Sequence, residues 1–124
     1  MSRREEAVLT TILISGDPAA ALAQSTFVHD VSEGEYIFEM AVIAPYQSII
    51  CPTWVSIEFI PTYTDRRERN IWLGWGFAAS DKFPVIVRGP VPLTGPGYFL
   101  VAGESSTTND RVEGTFSYRK VKSQ

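Results

Sequence analysis

Three separate stretches of this chain carry a period-two pattern of apolar and polar residues. In "EYIFEMAVIA" (35–44), Tyr36, Phe38, Met40 and Val42 share one parity, and Glu35 and Glu39 take the other. In "TWVSIEFI" (53–60), Val55, Ile57 and Phe59 oppose Ser56 and Glu58. In "RVEGTFSYRKV" (111–121), Val112, Phe116 and Tyr118 oppose Arg111, Glu113, Thr115, Ser117 and Arg119. A period of two is that of a pleated strand with one face buried, whereas a helix repeats its apolar positions every three to four residues. Shorter apolar runs at 7–15, 25–31, 70–78, 83–88 and 97–103 have strand composition too. Turn formers separate them: Gly16-Asp17-Pro18, Ser32-Glu33-Gly34, Ala44-Pro45 and Ser80-Asp81. Only "PAAALAQ" (18–24) has helical composition, for at most two turns.

About eight short strands at even spacing, with no strand–helix–strand alternation, predict an all-β fold. The expected form is a single-domain antiparallel β-sandwich, jelly-roll-like, over residues 1–124, with residues 1–6 as a polar N-terminal arm. At 124 residues, with 44% hydrophobic and 20% charged side chains, the chain has the material for one core.

"RGPVPLTGPGYFLV" (88–101) packs three prolines and three glycines between two apolar runs. Proline has no N–H for a ladder, so Pro90, Pro92 and Pro96 argue against a central strand. The expectation is that 88–97 forms a stiff, extended connection between strands, presenting Val91 and Leu93 as contacts for a partner.

Residue chemistry excludes more than it assigns. His29 is the only histidine and Cys51 the only cysteine. No His₂ site, CxxC, HExxH, phosphate loop or disulfide is available within one chain, and no metal or cofactor is implied. His29 and Asp30 are adjacent, so a strand sends them to opposite faces, and His29 is expected to be exposed. Glu39 and Glu58, both mid-strand, are the carboxylates a pair-type hydrolase would use; the expectation is nevertheless that the chain is not an enzyme. Arg66, Arg67 and Arg69 cluster in "DRRERN" (65–70), an arginine-rich segment suited to a partner contact. The net charge of −3 argues against nucleic acid, and no apolar run is long enough for a membrane span.

Trp54, Trp72 and Trp75 complete the candidates. Trp54 has the parity opposite to Val55, Ile57 and Phe59, so it points outward. Trp72 and Trp75 are three apart, and a regular strand sends one inward and one outward. Exposed indoles anchor protein contacts or stack on sugars.

These features point to a non-catalytic structural or assembly protein that contacts itself or a larger protein body. A virion component, such as a phage capsid decoration or tail subunit, is the form expected. The alternative is a carbohydrate- or small-ligand-binding module built on the tryptophans. Glu5, Glu6 and Asp17 interrupt what would otherwise imitate a cleaved leader. Virion or cytoplasm is therefore favoured over secretion.

Overall fold

The computed structural model describes residues 9–15, 24–45, 53–62, 70–78, 84–104 and 112–121. They form six strands: β1 (Leu9–Ser15), β2 (Gln24–Pro45), β3 (Thr53–Pro61), β4 (Ile71–Ala78), β5 (Val85–Glu104) and β6 (Val112–Val121). All pair antiparallel in one sheet, in the order β1-β6-β2-β5-β3-β4. Among the described residues there is no helix.

The all-β antiparallel expectation holds, and the number of strands does not. Two pairs of expected short strands are each one long strand. β2 runs 22 residues straight through Ser32-Glu33-Gly34, which is not a turn but a register shift between Val31 and Gly34. β5 runs 20 residues through the Pro/Gly stretch. The 88–97 segment is extended, yet it lies inside a strand rather than between two. Its position in the sheet explains how the prolines are tolerated. β3 pairs with β5 only over Gly97–Glu104, so from 88 to 96 β5 has a strand on one side alone. An amide nitrogen facing the open side needs no hydrogen, which is the edge environment where proline occurs. Both register shifts in the β2–β5 ladder sit beside a cis Gly-Pro bond, Gly89-Pro90 and Gly95-Pro96.

The long β2–β5 ladder carries the rest. β6 pairs with the second half of β2, from Glu35↔Val121 to Pro45↔Val112, and β1 pairs with β6. β3 and β4 extend the ladder on the other side, beside the second half of β5. The sheet bends so that both ends share one core. Phe99 of β5 lies 4.8 Å from Phe116 of β6, 5.2 Å from Phe59 of β3 and 6.4 Å from Phe38 of β2, ring centre to ring centre. All four rings are fully buried. Val55, Ile57 and Phe59, read as one face, are all in the core, as are Val112, Phe116 and Tyr118.

β4 lies across the core from the start of β5. A Cβ added at Gly74 would stand 2.6 Å from both Val87 methyls, so this close approach is open only to glycine. The outward sides of β4 and of Val85–Arg88 therefore face away from one another.

One alternation breaks midway. Tyr36 and Phe38 are buried, but a shift between Phe38 and Met40 reverses the parity of β2. Ala41 and Ile43 then enter the core, and Met40 is exposed rather than sharing a face with Phe38. A bulge inserts one residue and flips every side chain beyond it.

Candidate functional site

The β3–β4 hairpin presents an aromatic surface on its outward side. Cross-strand pairing sets it: Trp54 lies opposite Phe77, Ser56 opposite Trp75 and Glu58 opposite Trp72. Trp54 and Trp75 stack, with ring centres 4.5 Å apart and 20° between planes. Phe77 meets both edge-on, at 5.4 Å and 6.4 Å. Trp72, Trp75 and Phe77 remain 58%, 56% and 62% exposed, and they lie side by side rather than scattered singly over the surface.

The expectation that Trp72 and Trp75 face opposite ways is overturned. Ile57 pairs with Gly74 while the next residue, Glu58, pairs with Trp72, so Leu73 is an extra residue on β4. That bulge returns Trp72 to the side of Trp75, and Leu73 packs against the core. Trp54 is outward, as expected, and half-buried under its neighbours.

Glu58 sits within this surface. Its Oε2 is buried and has no hydrogen-bond partner among the described residues. Ser56 and Ala102 beside it are buried as well, beneath the larger side chains rather than in the main core cluster. Asp30 is exposed on the outward side of β2, beyond β5. Among the described residues the outward sides of β3, β4 and their β5 and β2 neighbours carry no lysine or arginine.

Val91 and Leu93 are not projecting contacts. They pair with Phe38 and Tyr36, on the core side of the ladder. Leu93 is 3% exposed, and Val91 packs against the core. The prolines stiffen a strand whose alternate side chains are interior. Arg66, Arg67 and Arg69 lie outside the described residues, as do Cys51, the N-terminal arm and most of the segment with helical composition.

His29 is also corrected. It is half-buried and inward, with its Nε2 3.0 Å from the Tyr118 hydroxyl and its ring against Phe116, while Asp30 points out. Burial holds the His29 pKa below its ordinary value, against an opposing pull from Asp30. Burial also raises Tyr118, aided by neighbouring Tyr36. Tyr36 in turn donates to the Ser32 carbonyl at 2.9 Å. This polar seam ties the β2 bend to β6.

The two carboxylates singled out from the sequence have separate surroundings. Glu39 accepts from Arg119 Nε at 2.9 Å, linking β2 to β6. Glu58 belongs to β3, among the tryptophans. Among the described residues no group of three or more His, Cys, Asp or Glu is placed to hold a metal ion.

A second apolar surface covers the outward side of β1, β6, the second half of β2 and the start of β5. One row across it is Leu13, Thr115, Val42 and Ile86; the next is Thr11, Ser117, Met40 and Arg88. Leu13 is 73% exposed and Ile86 50%. Arg88 is exposed, and its described polar contact is the Met40 sulfur at 4.0 Å. Alternation along β2 does not reveal the exposure of Met40, because its parity changes at the bulge.

No family model and no curated protein matches this chain. Among solved structures it is similar to part of the mosquito-larvicidal Cry4Aa toxin from Bacillus thuringiensis, at 11% identity and a TM-score of 0.37 over 91% of this chain and 21% of that one. It is also similar to part of a structure of infectious bursal disease virus, Gx strain, at 10% identity and a TM-score of 0.38 over 98% of this chain and 43% of that one. The chain spans less than half of either, and likenesses this slight carry no weight about function.

Proposed function

We propose that this protein is a non-catalytic assembly subunit that docks on other protein surfaces through the outward faces of its sheet. The observation that carries the reading is the contiguous exposure of Trp72, Trp75 and Phe77 beside Trp54. Leaving such rings in water forgoes roughly 1.5–3 kcal/mol of burial for each large apolar side chain, and tryptophan is enriched among the few residues that carry most of the binding energy at protein interfaces. The bent sheet acts as a compact body of sandwich or jelly-roll type, with its contacts on the outside. A virion component such as a capsid decoration or tail subunit is the setting proposed, with the chain meeting copies of itself, a larger assembly, or both.

Recovery of the full chain from its native source, followed by size exclusion with light scattering, tests this reading. A stable higher-mass species that Trp75→Ala weakens is expected. A monomer that recovers no protein partner overturns it.

A glycan-binding module is the second reading. Exposed indoles offer stacking faces for the C–H faces of a pyranose, and the Glu58 carboxylate beside them is a hydrogen-bond acceptor. Saturable quenching of tryptophan fluorescence by an oligosaccharide, in a protein that stays monomeric, would favour it over assembly.

A further inference from the structure

We infer that the open edge of β1 pairs with the same edge of a second copy of this chain, antiparallel and about a two-fold axis at Thr11. One sheet then runs through both copies. This contact is separate from the aromatic surface and stands whether or not that surface docks.

A sheet edge leaves a row of backbone N–H and C=O groups ready for another strand, and natural edges carry charges, prolines or bulges that prevent such pairing. The open edges among the described residues divide on this point. β2 before Glu35, where pairing with β6 begins, carries Asp30 and Glu33 and a register shift between Val31 and Gly34. β5 from Val85 to Gly95 carries Arg88, Pro90 and Pro92. β4 has the Leu73 bulge, with Gly74 and Gly76 beyond it. β1 has none of these. Its seven residues all pair with β6 in unbroken register, and LTTILIS contains no charge, proline or glycine. Among the described residues its hydrogen bonds go to β6 alone.

The side chains select the occupant. Leu9 and Leu13 are 46% and 73% exposed on the outer side, while Ile12 and Ile14 turn to the core. The two leucines are four residues apart, with Thr11 midway. In an antiparallel pair centred on Thr11, Leu9 of each copy stands opposite Leu13 of the other, and Thr11 stands opposite Thr11. Centring on Ile12 instead sets Leu13 opposite Thr11 and Leu9 opposite Ser15. Directly opposed residues have Cβ atoms about 4.5–5.5 Å apart, so the register at Thr11 alone covers both leucines with leucine. The outer row Ile86, Val42, Thr115 and Leu13 of one copy then continues into Leu9 of the other. No charge lies in β1 to meet its own kind across the axis. The contact uses the same patch on both copies, so it closes at two chains.

Sedimentation equilibrium on the full chain carrying Trp75→Ala, which damages the aromatic surface, isolates this contact. That variant should still form a dimer. Adding Leu13→Lys, at an exposed site where circular dichroism should show an intact fold, should weaken the dimer by at least about tenfold in Kd. Cross-linking reads the register. In a Cys51→Ala background, Thr11→Cys should oxidise to a covalent dimer, because the two thiols are direct cross-strand partners, and Ser15→Cys should not. A Trp75→Ala chain that is monomeric while the wild type assembles overturns this inference and leaves the assembly reading standing. A dimer indifferent to Leu13→Lys, or one that Thr11→Cys fails to trap, overturns it too. A Leu13-dependent dimer that is the largest species of the wild type, unchanged by Trp75→Ala and recovered with no other protein, supports this contact and removes docking through the aromatic surface.

Discussion

Trp54 and Trp75 stack at 4.5 Å although they are not direct cross-strand partners: Trp54 opposes Phe77, and Trp75 opposes Ser56. The contact is the diagonal one on a sheet face, within reach because both side chains are large and Ser56 between them is small. A buried serine thereby makes room for the stacked pair on the exposed aromatic surface.

Replacing Trp75 by alanine should cost little in folding, about 0.5–1.5 kcal/mol for the lost aromatic pair. The same change should weaken association far more. Urea denaturation followed by circular dichroism measures the first, and sedimentation velocity measures the second. A loss of stability near that of a core deletion would mean that the ring is structural.

Phe99 is the comparison. It touches Phe38, Phe59, Phe116 and Tyr118, from three other strands, and is fully buried. Phe99→Ala should destabilise by about 3–5 kcal/mol, whereas Val28→Ala, at a half-exposed site on the next strand, should stay within about 0.5 kcal/mol. Paired urea titrations decide it.

Gly114 has φ +142°, and a Cβ there would collide with the Val42 carbonyl oxygen across the β2–β6 ladder. Gly114→Ala should therefore lose about 1–3 kcal/mol, despite a half-buried position, through backbone strain. A melting temperature equal to wild type would contradict that.

His29 makes stability fall in mild acid. Its folded pKa lies below the ordinary 6.5 because burial disfavours the imidazolium. Between the two values the unfolded chain binds more protons, so stability decreases as pH falls from about 6.5 to the folded pKa and levels off below it. Denaturation midpoints at about pH 7.5 and 5.5 should separate for the wild type and come closer together in His29→Gln. An unchanged separation in that variant would assign the effect to another group.

Much of the core was readable from alternation alone. Val55, Ile57 and Phe59, and likewise Val112, Phe116 and Tyr118, keep their expected faces because no bulge interrupts them. The errors cluster at the bulges. Regular alternation puts Met40 with Phe38 and Trp72 opposite Trp75; one extra residue between each pair reverses the parity. The flanking prolines suggest a surface position for Val91 and Leu93, yet their side chains obey the pairing of β5 with β2.

What the chain's own order of residues determined is the kind of element and its buried face over short spans: pleated strands, antiparallel pairing, and a surplus of aromatic side chains. Those follow from local sterics and from side-chain period, which each segment carries within itself. Only the tertiary structure decided where strands continue through glycine and proline, where a bulge turns the next side chain over, and hence that three indoles share one outward surface. A strand's register exists only relative to its neighbour, and that neighbour is far away in sequence.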